Sequence, residues 1–189
     1  MKIAIGGSAA NPPHLGHLMV LNYMMSQKQF DQIIWIPSGS SDEKLLSDIH
    51  PDHRVAMTEL LIPKEWRLRT PKLTIRYTDV YGTNLPSFYH LENLQKEYPD
   101  AELTWYTGSD SDVSCWDRGR ELLELWKVFV IPRKGHCSFT QLHDAIDIPD
   151  ISSTEIKERI RTEEPFSHLT TPEVAEYIEN NGLYKRKPE

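Results

Sequence analysis

Apolar positions along the chain fall into short runs separated by stretches in which they recur every three or four residues. The runs KIAI (2–5), QIIWIP (32–37), KLTIRY (72–77), ELTWYTG (102–108) and KVFVIP (127–132) are rich in β-branched and aromatic residues and predict strands. Between them, Leu15 to Ser26 predicts an apolar helix, and DHRVAMTELLI (52–62) predicts one whose apolar face is Val55, Met57, Leu60 and Leu61, closed with the help of Pro63. PSFYHLENLQKEY (86–98) reads as a helix entered at a proline, and RELLEL (120–125) as another. AIDIPDISSTEIKERI (145–160) reads as a short strand running into a helix, and TPEVAEYIENNG (171–182) as a final helix stopped by Gly182. Strands alternating with helices predict an α/β fold with a mostly parallel sheet, helices on both faces and ligands at the carboxyl ends of the strands.

Length and charge narrow this picture. With 189 residues and no repeat, low-complexity segment or linker, the chain is expected to form one domain over residues 1–189. Lys and Arg total 21 against 28 Asp and Glu, a formal charge of −7, which argues against a surface that tracks a nucleic acid polymer and for a small phosphate ligand met by a local basic pocket. Cys115 and Cys137 have neither metal-ligand spacing nor the density of a disulfide scaffold. The apolar run Ile3 to Ile5 is too short for a signal peptide, and no run approaches the roughly 18 apolar residues that span a bilayer, so a cytoplasmic protein without a membrane partner is expected.

Three constellations could carry chemistry. In GGSAANPPHLGHL (6–18) a strand leads through Gly6, Gly7 and Ser8 to the start of a helix, where His14 and His17 share one face. A bare His-x-x-His is also a chance surface pair or half a metal site; strand, glycines and helix start together favour phosphate. In ISSTEIKERI (151–160), Ser152, Ser153 and Thr154 precede a helix, and Lys157 and Arg161 follow at helical spacing. One hydroxyl serves as an N-cap; three, with cations on the same side, suit an anion. In YTGSDSDVSCW, Gly108, Ser109 and Asp110 end a strand before Trp116, where Asp110 could accept from sugar hydroxyls and Trp116 could stack on a flat ring, a solvated turn and a core tryptophan being the plain alternatives. Trp105 reads as core. Arg133 and Lys134 follow another strand, where they could meet phosphate or lie in a solvated turn.

In this order the motifs GGSAANPPHLGH, GSD and ISST, with the closing YIENNGLY, resemble the nicotinate/nicotinamide mononucleotide adenylyltransferases of the His-x-Gly-His nucleotidyltransferase superfamily. The resemblance implies a Rossmann-like fold and in-line attack of a mononucleotide 5′-phosphate on the α-phosphorus of ATP, releasing pyrophosphate in NAD biosynthesis. It implies that His14 and His17 contact the ATP phosphates and stabilise charge at the α-phosphate, with Gly7 and Ser8 beside them. Ser153 and Thr154, with the helix N-terminus, would hold the β and γ phosphates, Ser152 and Lys157 would also bind ATP, Gly108 and Asp110 would face the adenosine side, and Arg133 would lie near the nucleotide. Ser8, Lys44, Ser87 and Trp116 would receive the mononucleotide, Trp116 by stacking on the pyridine ring. Magnesium would bridge the ATP phosphates without a protein cage. A homo-oligomer is left open.

The chain departs from the family pattern in five places. The first loop is one residue longer between Ser8 and His17, Ala9 and Ala10 stand where an aromatic residue is usual, Lys157 replaces an arginine, and Trp116 follows GSD early. PSFYHLENL matches the family's Ser-Tyr-Thr segment only loosely, and the pyridine substituent has two candidate basic partners in these segments, His90 and Arg118. The rival readings are a pantetheine-phosphate adenylyltransferase or a cytidylyltransferase, which share His-x-Gly-His, and a nucleotide sensor that does not turn over. IDIPDISST lacks the Arg-Thr-x-Gly lead usual in cytidylyltransferases. The choice between nicotinate and nicotinamide mononucleotide tilts to nicotinate on chain length.

Overall fold

All five apolar runs form strands in the computed structural model, which describes residues 1–39, 49–69, 72–82, 84–131 and 148–186. The strands are β1 (Lys2–Ser8), β2 (Gln32–Pro37), β3 (Leu73–Ile75), β4 (Glu102–Gly108) and β5 (Lys127–Ile131). They make one sheet in the order β3-β2-β1-β4-β5, parallel at every pairing. The order reverses between β1 and β4, and an open α/β sheet leaves a crevice at the carboxyl ends of the strands flanking such a reversal.

Among the described residues the helices are α1 (Leu15–Ser26), α2 (Pro51–Leu61), α3 (Lys64–Arg69), α4 (Ser87–Glu97), α5 (Gly119–Leu125), α6 (Ser153–Arg161) and α7 (Pro172–Asn180). Helix α3 was not expected, because six residues are too few to display a helical period. The strand expected over 72–77 shrinks to three residues on a sheet edge, since the chain turns back when Val80 N–H bonds to Tyr77 C=O at 3.3 Å. The short strand expected before ISST is a single bridge at Ile148, the residues ahead of it lying outside the described part.

The face of α2 also differs from expectation. Its buried residues are Arg54, Met57, Thr58 and Leu61, at the spacing i, i+3, i+4, i+7, while Leu60 is 37% exposed and Val55 is half-buried. A charged residue on the inner face hid the true stripe. Helix α7 ends as read, with Gly182 at φ +60°, a left-handed conformation that lets Leu183 N–H reach Ile178 C=O at 3.0 Å.

Side chains alternate across the sheet, and both faces are covered. Ile3 and Ile5 of β1, Ile34 and Ile36 of β2 and Leu103 and Trp105 of β4 pack with Phe88, Leu91 and Leu94 of α4 and Leu122 of α5. The opposite face places Trp35 with Leu21 of α1, Met57 and Leu61 of α2, Ile156 of α6 and Val174 and Ile178 of α7. Parity thus sorts every residue near a strand end to one side or the other. No helix among the described residues is long and apolar enough to cross a membrane.

Ile156 is fully buried at the centre of the second cluster and anchors α6, whose start carries the ISST hydroxyls. Ile156→Ala should lower unfolding stability by about 2–5 kcal/mol, through lost burial and the cavity it leaves. Urea unfolding followed by circular dichroism checks this, and a loss below about 1 kcal/mol would show that α6 is not held by this contact.

Candidate active site

The loop from β1 to α1 is buried along its whole middle, from Ala10 to His14. Interior backbone carbonyls need donors, and these arrive from distant parts of the chain. Arg54 Nη2, on the inner face of α2, donates to Ala9 C=O at 2.6 Å and also to Ser38 C=O. Ser153 Oγ donates to Pro12 C=O at 2.8 Å, and Thr170 Oγ1 to Pro13 C=O at 2.9 Å. Tyr184 Oη donates to the Asn11 side-chain oxygen at 2.6 Å. Within this loop Ala10 is left-handed, with φ +44°.

That loop delivers the two histidines. His14 is the N-cap of α1 and His17 lies three residues on, and their rings stack with centroids 3.8 Å apart. His14 N–H donates to His17 Nδ1 at 3.1 Å. A ring nitrogen that accepts carries no proton, so Nε2 is the donor nitrogen of the neutral His17 ring. The glycine between them is required by close approach, since a Cβ on Gly16 would lie 2.9 Å from His14 Nδ1. Ser8 is held by Trp35, whose Nε1 donates to Ser8 Oγ at 3.1 Å, and the Trp35 ring lies 5.9 Å from that of His17.

A cavity of about 340 Å³ opens on this face of the sheet. Its walls include Gly7, Ser8, His14, His17, Gly108 and Asp110, and Ser152 and Ser153 close one side. Motifs separated by more than a hundred residues thus meet in one cleft. Within ISST the hydroxyls divide their work: Ser152 Oγ caps α6 by accepting from Glu155 N–H at 3.1 Å, and Ser153 Oγ pins the histidine loop. Thr154 is exposed and outside the cavity walls, and Lys157 Nζ sits 5.5 Å from the centre of the Tyr184 ring. Tyr106 also lines the cleft, and burial pushes its phenol upward, so it stays neutral.

A second cavity, of about 640 Å³, opens on the other face and shares Gly7, Thr107 and Ser111 with the first. Ser87, at the start of α4, and Trp116 line it. Trp116 is half-buried and meets the core residue Trp105 edge-on, at 6.2 Å between centroids. Asp79 and His90 stand in the same wall, with His90 Nε2 2.9 Å from Asp79 Oδ2. Arg118 takes another course: its guanidinium lies 3.5 Å from the centre of the Phe88 ring and pairs with Glu121.

The structure therefore brings Gly7, Ser8, His14, His17, Gly108, Asp110, Ser152 and Ser153 into one cleft and Ser87 and Trp116 into its neighbour. Lys44 and Arg133 lie outside the described residues. Reading the sequence missed Arg54, Trp35 and Asp79. The spacing of Arg54 with Met57, Thr58 and Leu61 was the one available signal for any of them.

A family model described as cytidylyltransferase-like matches residues 5–159. A probable nicotinate-nucleotide adenylyltransferase of Carboxydothermus hydrogenoformans is 32% identical over 203 residues, covering 97% of this chain and 98% of the relative. The nicotinate-nucleotide adenylyltransferase of Bacillus subtilis is 30% identical over 190 residues, covering 97% and 98% of the two chains. The nicotinic acid mononucleotide adenylyltransferase of Plasmodium falciparum, solved in complex with NaAD, superposes with a TM-score of 0.82 over 97% of each chain at 22% identity, a likeness of fold. With its matching fold, the order of its motifs and this full-length similarity, the chain belongs to the cytidylyltransferase-like family and, within it, to the nicotinate-nucleotide adenylyltransferases.

Proposed function

We propose that this chain transfers the adenylyl group of ATP to nicotinate mononucleotide, forming the dinucleotide and pyrophosphate through one nucleotidyltransferase domain. The observation that carries the reading is the pair of clefts that meet at Gly7, Thr107 and Ser111. The cleft with the histidines takes ATP, and the cleft with Trp116 takes the mononucleotide. Two substrates seated on either side of the strand ends would bring the 5′-phosphate of one against the α-phosphate of the other. Such alignment supplies much of the catalysis in phosphoryl and nucleotidyl transfer, which needs positioning and charge neutralisation more than covalent help.

In the reaction an oxygen of the mononucleotide 5′-phosphate bonds to the α-phosphorus while the bond to the β-phosphate bridging oxygen breaks. Donation from His17 Nε2 and His14, at the positive end of α1, would stabilise the charge that builds up there. Ser152 and the start of α6 would face the departing pyrophosphate, with Lys157 and Thr154 nearby in sequence; Arg133 and Lys44 come to this reading from the resemblance alone. Asp110, the carboxylate on the first cleft's described wall, would face the adenosine. Magnesium bound chiefly by phosphate oxygens would need no cage of protein ligands. When bound, magnesium would neutralise phosphate charge.

Purified protein given ATP, magnesium and nicotinate mononucleotide should release pyrophosphate and form the dinucleotide, as a coupled phosphate assay and chromatography would register. Turnover with CTP or phosphopantetheine, and none with either pyridine mononucleotide, would replace this reading with one of its superfamily rivals; binding without turnover would favour a sensor. His17→Ala should cut kcat by about a hundredfold to a thousandfold, the usual cost of one preorganised donor, and leave the melting temperature within a few degrees. Near-normal kcat in that variant would remove His17 from the chemistry.

A further inference from the structure

The wall of the second cleft holds a buried ion-pairing unit that the reaction itself does not use. The side chains of His90 and Asp79 are 10% and 5% exposed, and both border the cavity. Asp79 Oδ2 takes His90 Nε2 at 2.9 Å and Leu85 N–H at 3.0 Å, and Asp79 Oδ1 takes the Thr78 hydroxyl at 3.2 Å. The carboxylate is therefore occupied on its own side, and it fixes which nitrogen of the ring is spent on it. The other nitrogen, Nδ1, is the one left to serve a ligand.

Charge decides what kind of ligand. Asp79 and Asp117 make this wall acidic, and His90 is the side chain among the described wall residues that can carry a positive charge. Arg118, the other basic candidate, is engaged with Glu121 and stacked on Phe88. Helix α4 begins in the same wall at Ser87, and the first N–H groups of a helix favour an anion. Trp116, on which a flat ring would lie, borders the same cavity as His90 and Ser87. Carboxylate and amide differ there in one respect: the carboxylate only accepts, whereas the amide also donates.

We infer that the His90–Asp79 pair selects the acidic pyridine substrate, the His90 ring bridging Asp79 at Nε2 and the carboxylate of nicotinate mononucleotide at Nδ1, an assignment that rests on the adenylyltransferase reading above. A donor held by a buried partner rewards the carboxylate, whose charged oxygens accept more strongly than the neutral carbonyl oxygen the amide would offer in its place.

The test is the ratio of kcat/KM for nicotinate mononucleotide to that for nicotinamide mononucleotide, at saturating ATP and magnesium. His90→Gln retains a donor toward Asp79 but cannot become a cation, and it should lower this ratio about tenfold to a hundredfold, with KM for ATP within a factor of about three. An unchanged ratio would overturn the assignment, and so would a raised one, which would mean that the ring accepts from the amide. In the unsubstituted protein, His90 ring resonances should move on adding nicotinate mononucleotide and move less with the amide. This readout does not depend on a variant that folds, and no response to nicotinate mononucleotide would equally overturn the assignment. Absence of turnover with both mononucleotides in the unsubstituted protein would instead overturn the enzymatic reading.

Discussion

The buried loop between β1 and α1 is the constraint on which the rest of the structure depends. Its residues from Ala10 to His14 lie inside the protein, where an unsatisfied carbonyl costs about as much as a lost hydrogen bond. Donors from α2, α6, Thr170 and Tyr184 meet that need at Ala9, Pro12, Pro13 and the Asn11 side chain. The C-terminal third of the chain is thereby tied to the N-terminal strand. The same contacts set where α1 begins, and so where His14 and His17 stand.

Two geometric consequences follow for function. Parity along β1, β2 and β4 divides the strand ends between two faces, with Ser8 and Tyr106 bordering the first cleft and Ile36 and Trp105 the second. Gly7, without a side chain, belongs to both. Two ligands can then approach each other over the reversal in strand order, each held by different helices. The histidines face one ligand from the start of α1, while the turn into α4 and the segment around Trp116 face the other.

Much of this could be read along the chain. The strands announced themselves as β-branched runs, and the motifs at 6–18, 108–110 and 151–154 marked the strand and helix ends where an α/β protein binds phosphate. The errors have local physical causes. Helix α2 buries Met57 and Leu61 of its expected face but not Val55 or Leu60, because its inner stripe includes Thr58 and Arg54, a charged residue whose burial is explained only by the carbonyls it meets elsewhere in the fold. Helix α3 was too short to show a period, and β3 was shortened by a turn that competes for its backbone.

By itself the sequence determined the elements, their alternation and the identity of the chemical groups, because periodicity and turn chemistry are local properties. It could also place two histidines on one helical face, since residues three apart are neighbours on any helix. Only the tertiary structure decided how the hydroxyls of ISST are shared, with Ser152 capping α6 and Ser153 securing the histidine loop 141 residues away in sequence. It alone separated His90, paired with Asp79 in a cleft wall, from Arg118, turned onto Phe88. Those outcomes hinge on which distant groups share a small volume, and a linear pattern carries no record of that.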